Sequence, residues 1–239
     1  MSALVNISRS LLDWLVPQTC LICDCASDND ICTPCYRELP WLEESCAVCA
    51  LPLPVAGICP GCQQQPPSFD VCVGSFQFRE PVGSLINQFK HRHHYRNGKV
   101  LSSALRHSLQ QHYRQSPWPQ AIVPIPMHWR RILRRGFNQS ISIAQEIRSD
   151  IHIPFLPALR RVTATPKQQG LDRKARLKNL NHAFAVNEKI ELPPHVALVD
   201  DVMTTGATAE AASSVLKKAG VKVVDVWVLA RTPAPESGR

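Results

Sequence analysis

The sequence predicts an α/β domain built on a central parallel sheet, preceded by a small cysteine-rich module. Short apolar runs at residues 121–126 and 196–199 are typical of strands that are buried on both faces of a parallel sheet. Segments with helical spacing lie between the strand candidates, and eight of the ten cysteines form C-x-x-C pairs between residues 20 and 62. At 239 residues the chain has room for one ordinary domain and a small additional one.

The eight clustered cysteines form four C-x-x-C pairs, and each pair can present two thiolates to one tetrahedral metal ion. The pairs are Cys20/Cys23, Cys32/Cys35, Cys46/Cys49 and Cys59/Cys62. Because two pairs complete a Cys₄ site, the segment predicts a double zinc ribbon with two closed, structural zinc sites. The simplest arrangement gives the first two pairs to one zinc and the last two to the other, while an interleaved arrangement stays open.

Disulfides and thioredoxin-like redox motifs are the rival interpretations of these cysteines. Residues 1–16 are amphipathic and lack the unbroken apolar centre of a signal peptide, which disfavours disulfides and predicts a short helix. Four copies outside a βαβ context disfavour the redox motif. Cys25 could replace Cys23 as a ligand, and Cys72 is predicted to be a buried thiol. No apolar run approaches membrane-spanning length, so we expect a cytoplasmic protein without membrane insertion.

The net charge of +8 is distributed unevenly along the chain. Residues 90–182 carry 18 Lys and Arg against three acids, a charge of +15, and the rest of the chain carries −7. A basic stretch of this kind attracts phosphates, on a nucleotide or along a nucleic acid. The alternative is a solvated surface adjusted for solubility, but such a surface would not segregate charge in this way.

The order of elements in the rest of the chain is compatible with alternating strands and helices. We expect a linker at 63–68, a strand or hairpin at 69–78, a strand at 221–230 and a basic loop at 127–138. Helices are expected at 83–91, 98–113, 139–148 and 209–220. The polar segment 159–184 is predicted to be either a mobile flap that closes over a phosphorylated ligand or a plain surface excursion. The predicted domains are 1–66, 67–232 and a disordered tail at 233–239.

The segment that carries the chemistry runs from residue 196 to residue 208. An apolar strand ends in Asp200 and Asp201, two adjacent carboxylates that repel each other unless hydroxyls, a divalent ion or a developing cation share their charge. A turn of small and hydroxylated residues follows and opens the next helix: Thr204, Thr205, Gly206, Ala207 and Thr208. Because the first amides of a helix lack intrahelical partners, this turn predicts a phosphate site. Taken singly, each piece is explained equally well by a strand end or a helix cap.

This segment resembles the phosphoribosyl-pyrophosphate (PRPP) motif of type I phosphoribosyltransferases. The resemblance implies a Rossmann-like fold in which Asp200 and Asp201 hold the ribose hydroxyls and, in an enzyme, stabilise an oxocarbenium-like transition state. It implies that residues 204–208 cradle the 5-phosphate and that Mg²⁺ accompanies PRPP. The arginines of the basic loop, Arg134 and Arg135 among them, would neutralise the pyrophosphate, since the planar guanidinium binds phosphate oxygens in pairs.

Four landmarks together resemble the ComF family of competence proteins over essentially the whole chain. They are the cysteine ribbon, the Arg-Gly-Phe-Asn-Gln motif at 135–139, the segment with Thr165, Gln168, Leu171 and Arg173, and the acidic pair with its loop. The resemblance implies a role in DNA uptake or DNA utilisation, with PRPP, single-stranded DNA along residues 90–182 and DNA-uptake proteins as partners. The alternatives are a metabolic phosphoribosyltransferase and a PRPP sensor. Four aromatic residues could stack on bases, although core packing explains each one singly: Tyr95, Tyr113, Trp118 and Trp129.

Overall fold

The structure is a computed structural model that describes residues 18–92, 94–162 and 183–234. The chain forms two compact units, residues 1–39 and 40–239. The predicted domains, 1–66, 67–232 and 233–239, follow a different division and stay a prediction. The predicted helix at 1–16, most of the predicted flap and the end of the tail fall outside the described residues.

The first unit is organised by cysteine turns. The amide of Cys20 donates to the carbonyl of Cys25 at 2.9 Å, and the amide of Leu21 donates to the carbonyl of Asp30 at 2.8 Å. Helix α1 (Thr33–Arg37) follows, with a proline in its first turn, where the missing amide proton costs nothing. A segment this short buries little apolar surface, so bound metal would supply much of its folding free energy.

The second unit is built on a four-stranded, wholly parallel sheet with the order β1-β6-β5-β2. The sequence predicted this central parallel sheet. Its strands are β1 (Val71–Gln77), β2 (Ala121–Pro124), β5 (His195–Met203) and β6 (Val223–Arg231). A separate antiparallel pair joins β3 (Leu159–Arg161) and β4 (Phe184–Val186), which border residues 163–182 of the predicted flap.

Helices cover both faces of the sheet. Helices α4 and α6 contact each other and pack on β1, β6, β2 and β5, whereas α7 packs beside β4. The face beneath α7 shares one apolar core with the cysteines at 46–62, and this core includes Val196, Leu198 and Val226. The helices of this unit are α2 (Pro60–Gln64), α3 (Val82–Arg92), α4 (Tyr95–His112), α5 (Trp129–Arg135), α6 (Gln139–Ile151) and α7 (Ala207–Lys218).

Two elements differ from the sequence prediction in ways that affect the site. Strand β5 does not end at residue 199 but continues through the acidic pair, because its pairing with β6 extends to Met203 opposite Arg231. The basic segment predicted as a loop contains helix α5. A ring nitrogen of His128 accepts from the amide of Arg130 at its start, and Gly136 closes its end with a φ of 80°.

A buried polar network lies at the amino end of the sheet. Asp225 Oδ2 accepts from the hydroxyl of Tyr113 at 2.6 Å and lies 2.8 Å from His195 Nε2. The hydroxyl of Tyr113 in turn accepts from Trp227 Nε1 at 3.0 Å. Burial raises the pKa of Tyr113, so its hydroxyl remains a donor at neutral pH. Each of these three hydrogen bonds joins β5 or β6 to a neighbouring element or strand.

Within the described residues, no helix combines the length and the apolar character that a membrane span requires.

Candidate functional site

The acidic pair lies in the carboxyl-terminal half of β5, between the helical layer and the loop that leads to α7. Ser140, in the first turn of α6, donates its hydroxyl to Asp200 Oδ1 at 3.1 Å, and the amide of Asp201 donates to the same oxygen at 2.9 Å. Lys90 of α3 lies 2.9 Å from Asp201 Oδ1. Two helices therefore supply the polar groups that hold the two carboxylates in place.

The charge at this pair is incompletely balanced. Burial raises the pKa of Asp200, and the adjacent charge of Asp201 raises it further, to about 7 from an ordinary value of 3.8. The amide of Asp201, the ammonium of Lys90 and the hydroxyl of Ser140 each lower it, but they do not cancel the effect. Asp200 is therefore poised to lose a proton near neutral pH when a cation or a hydroxyl donor arrives.

The turn after β5 forms an open cup of amides. Gly206 has a φ of 78°, a conformation that strains any residue with a side chain, and the amide of Ala207 donates to Thr205 Oγ1 at 3.4 Å. Helix α7 then begins, so the amides of its first turn lack intrahelical partners. A small cavity of about 30 Å³ is lined by Asp200, residues 202–209, Val226 and Val228. Asp200 and the amide cup thus border the same space.

The predicted arginines have different surroundings. Arg135, at the end of α5, donates from Nη1 to Gln139 Oε1 at 3.2 Å, and the side chain of Arg134 lies outside the described residues. By contrast, Arg161 of β3 lies close enough to Asp200 for their charges to interact. Burial and the neighbouring charge of Arg131 lower the pKa of Arg161, and Asp200 counteracts them. Besides Lys90, the acidic pair therefore has Arg161 nearby, which the sequence did not single out.

Sequence reasoning missed four residues that shape this site: Lys90, Ser140, Arg161 and Arg231. Lys90 and Ser140 are ordinary members of helices, and nothing in their spacing links them to β5. Arg231 is a cation at the end of an apolar strand, and this sequence feature could have identified it as a candidate. Arg161 lies in a short run of basic residues, and no local pattern distinguishes it from the others.

Both cysteine clusters fit one tetrahedral zinc each. The thiols of Cys20, Cys23, Cys32 and Cys35 lie within 4.8 Å of one another, and so do those of Cys46, Cys49, Cys59 and Cys62. The Sγ atoms of Cys23 and Cys32, and those of Cys49 and Cys59, are 3.7 Å apart. Zinc–sulfur bonds of about 2.3 Å place thiolates about 3.8 Å apart around a tetrahedral ion.

The backbone around the clusters favours bound thiolates. The amide of Cys32 donates to Cys20 Sγ at 3.4 Å, and the amide of Cys59 donates to Cys46 Sγ at 3.3 Å. Burial opposes ionisation of the Cys46 thiol, yet the amides of Cys59, Cys49 and Val48 lower its pKa to about 6. The predicted pairing of the first two and the last two C-x-x-C turns is confirmed. Cys25 lies outside the first cluster, and Cys72 is buried, as expected.

Comparison with known proteins identifies one matching domain family and several relatives that align over most of this chain and most of their own length. The double zinc ribbon domain matches residues 11–63. Competence protein F of Haemophilus influenzae is 36% identical over 211 residues, which cover 85% of this chain and 91% of that protein. The DNA utilization protein YhgH of Escherichia coli K12 is 33% identical over 230 residues, 91% of this chain and 98% of that protein.

One solved structure with a looser similarity is glutamine phosphoribosylpyrophosphate amidotransferase from B. subtilis, complexed with ADP and GMP. It is 17% identical to this chain, with a TM-score of 0.38, over 55% of this chain and 26% of that one.

Proposed function

Because this chain belongs to the ComF family of competence and DNA-utilisation proteins, we propose that it binds PRPP with Mg²⁺ and acts in DNA uptake or utilisation. The observation that carries the proposal is that Asp200 and the amide cup at residues 204–208 border the same small cavity. That cavity is too small to enclose a sugar phosphate, but a carboxylate beside an anion site supplies the two kinds of contact that vicinal hydroxyls and a phosphate require.

Each part of the site has a role in this proposal. Asp200 and Asp201 accept the ribose hydroxyls, and the cup at 204–208 holds the 5-phosphate. Arg161, with the predicted Arg134 and Arg135, neutralises the pyrophosphate. Bound Mg²⁺, held largely by oxygens of the ligand, would supply positive charge that offsets the pyrophosphate and the acidic pair. In the ligand-free site Lys90 supplies part of that charge, since it contacts Asp201.

Calorimetry of PRPP with Mg²⁺ tests the binding site. We expect Asp201→Asn to weaken PRPP binding by about 10- to 100-fold, since a hydrogen bond to a charged group contributes about 1.5–3 kcal/mol. Asp150→Asn is the matched control, because Asp150 is an exposed carboxylate that pairs with Arg106. Equal affinities in the wild type and in Asp201→Asn, or no PRPP binding at all, would contradict the proposed site.

We propose that the same protein contacts incoming single-stranded DNA through α5. Trp129 and Leu133 of this helix are 58% and 76% exposed, and the Arg130 guanidinium carbon lies 5.3 Å from the centre of the Trp129 ring. An exposed aromatic ring beside arginines is the arrangement on which a base stacks while its phosphate is neutralised. Tyr113 packs in the core, so it is excluded as a stacking platform.

Fluorescence anisotropy with labelled oligothymidylates of several lengths tests the DNA contact. We expect Trp129→Ala to weaken binding by about fivefold or more, and Trp129→Phe to restore most of it, since stacking on one ring contributes about 1–3 kcal/mol. Binding that appears only at low salt, shows no length dependence and ignores Trp129 would reduce the interaction to non-specific charge attraction.

The proposed setting is the cytoplasmic side of DNA uptake, where DNA-uptake proteins are the expected partners. The names of the two relatives favour this role over base metabolism. Release of pyrophosphate from PRPP on addition of a nitrogenous base would instead identify a phosphoribosyltransferase. PRPP binding without turnover and without DNA binding would identify a sensor.

A further inference from the structure

We propose that Arg231 transmits the state of the second cysteine cluster to the phosphate cup, so that zinc at the one and PRPP at the other stabilise each other. The second cluster is the set Cys46, Cys49, Cys59 and Cys62. The inference rests on the proposed PRPP site and adds a positioning residue and a metal-dependent control to it.

Arg231 joins the two sites through backbone carbonyls. Its Nε donates to the carbonyl of Cys49 at 3.0 Å. Its Nη1 donates to the carbonyl of Met203 at 3.0 Å, to that of Thr204 and to that of Thr232 at 2.8 Å. The residue is only 6% exposed. One planar guanidinium therefore holds a zinc-ligand residue on one side and the start of the phosphate cup on the other.

The carbonyl of Cys49 is available to Arg231 only while the turn that contains Cys49 is folded. That turn is closed by the amide of Ala50, which donates to the carbonyl of Cys46 at 2.9 Å, and Ala50 has a φ of 55°. A non-glycine residue in this conformation is held there by its surroundings. Because metal at Cys46 and Cys49 closes the same turn, loss of the metal releases the carbonyl that anchors Arg231.

Charge reinforces the connection. Zinc with four thiolates carries a formal charge of −2, and the guanidinium of Arg231 lies beside one of the four ligand residues. This negative charge lies next to a buried cation, so the loaded cluster is a favourable partner for the residue that holds the cup.

A second contact ties the other end of the cup to the segment that follows the cluster. Ser68 donates its amide to Glu210 Oε2 at 2.7 Å and its hydroxyl to Glu210 Oε1 at 2.6 Å. Glu210 lies in the first turn of α7, directly after the cup. A cleft of about 150 Å³ is lined by Arg231 and Glu210, and by residues of both parts, Cys59 and Gly61 as well as Thr205 and Gly206. The cup is therefore held at both ends by the part of the chain that surrounds the second cluster.

Competition for zinc against a selective chelator, with and without saturating PRPP in a constant excess of Mg²⁺, tests the coupling in the full-length chain. Two coupled sites must affect each other equally, and couplings of this kind range from about 5-fold to about 150-fold. We expect PRPP to increase the zinc affinity of the second cluster at least about fivefold and to leave the first cluster unchanged. The variant Cys35→Ser, which disables the first cluster, assigns the two zinc ions.

Two arginine variants separate the role of Arg231 from general stability. Arg231→Lys keeps the charge but cannot reach carbonyls on both sides, so the effect of PRPP on zinc affinity should fall to less than about twofold. Arg148→Lys, an exposed arginine on α6, should retain the full effect. Should Arg231→Lys fail to fold, the wild-type zinc measurement still decides the matter.

The outcomes separate this inference from the proposed function. PRPP binding by calorimetry without any change in zinc affinity at the second cluster would overturn the coupling and leave the PRPP site intact. An equal change at both clusters would also overturn it, since that result indicates general stabilisation. Failure of PRPP to bind would remove the proposed function and the coupling with it.

Discussion

Carboxylates lie at both ends of the central sheet, and the two ends differ in how completely those carboxylates are satisfied. At the amino end, Asp225 is 3% exposed and is bound by Tyr113 and His195, with Trp227 behind Tyr113. At the carboxyl end, two adjacent carboxylates repel each other, and burial and that repulsion raise the pKa of Asp200 to about 7.

The difference separates a polar cluster that stabilises the fold from one that is prepared for a ligand. A buried polar network in which each member has a partner fixes the packing around it. A pair of carboxylates with too few cations nearby lowers the stability of the free protein and gains most when a ligand supplies hydroxyls and positive charge. Substitutions at the amino end should therefore alter stability alone. Substitutions that remove a carboxylate at the carboxyl end should raise the stability of the free protein and weaken PRPP binding.

The largest effect on stability is expected at the amino end. Asp225→Ala removes the acceptor that Tyr113 and His195 share, so we expect the free energy of unfolding to fall by about 3 kcal/mol. Urea denaturation measures the loss, and PRPP affinity per folded molecule should stay unchanged. Asp150→Asn, which removes an exposed carboxylate, should cost less than about 1 kcal/mol. An unchanged midpoint in Asp225→Ala would show that the network adds nothing to the fold.

At the carboxyl end, we expect the loss of a carboxylate to raise the free energy of unfolding rather than lower it. The folded protein raises the pKa of Asp200 above its ordinary value of 3.8, so between about pH 4 and 7 the folded state binds more protons than the unfolded state. Stability of the ligand-free protein therefore falls as pH rises through that interval and stays lowered above it. We expect Asp200→Asn to leave stability unchanged near pH 4 and to raise it by about 2 kcal/mol near pH 8.

Thermal unfolding of the ligand-free protein at the two pH values measures this gain. Asp201→Asn serves as the companion, since it removes the repulsion but leaves Asp200 buried, and it should give a smaller gain. A loss of stability in Asp200→Asn near pH 8 would mean that the pair is already satisfied without a ligand, and the contrast between the two ends would disappear.

The sequence predicted the parts of this contrast that are local in the chain. The parallel sheet followed from wholly apolar runs, the two zinc sites from C-x-x-C spacing, and the cup from Gly206 and its hydroxylated neighbours. Each of these depends on residues within a few positions of one another. The same local reasoning failed at α5, where a histidine cap and Gly136 fold an arginine-rich segment into a helix.

Contacts between distant segments could not be predicted from the sequence. Lys90 reaches Asp201 across 111 positions, and Arg231 reaches Cys49 across 182. Tyr113, which the sequence offered as a base-stacking candidate or a core residue, packs in the core and also belongs to the network around Asp225. These partners are chosen by the packing of helices on the sheet, and a single sequence carries no periodicity that reports such packing.

The third effect concerns how PRPP affinity depends on pH. Binding favours the ionised form of Asp200, so affinity should rise about tenfold from about pH 6 to about pH 8, with proton release near pH 7. Calorimetry in buffers of different ionisation enthalpy measures both quantities. Ser140→Ala removes a hydroxyl that lowers the pKa of Asp200, so it should move the midpoint to higher pH. A midpoint that stays in place would assign the transition to the phosphates of PRPP.

The smallest effects come from a matched pair of basic residues. Lys90 and His195 each have a 16% exposed side chain and lie 2.9 Å and 2.8 Å from an aspartate, at opposite ends of the sheet. His195→Gln should lower the free energy of unfolding by about 1 kcal/mol and leave PRPP binding alone, since glutamine donates one hydrogen bond to Asp225.

Lys90→Gln should alter PRPP binding and leave the free energy of unfolding nearly unchanged. Lys90 lowers the pKa of Asp200, so its loss raises that pKa and should weaken PRPP binding near pH 7 about two- to threefold, with little effect on stability. Urea denaturation and calorimetry on both variants complete the comparison. If the two variants behave alike, the acidic pair is a structural feature like Asp225, because only a site held ready for a ligand responds to Lys90 through binding rather than through folding.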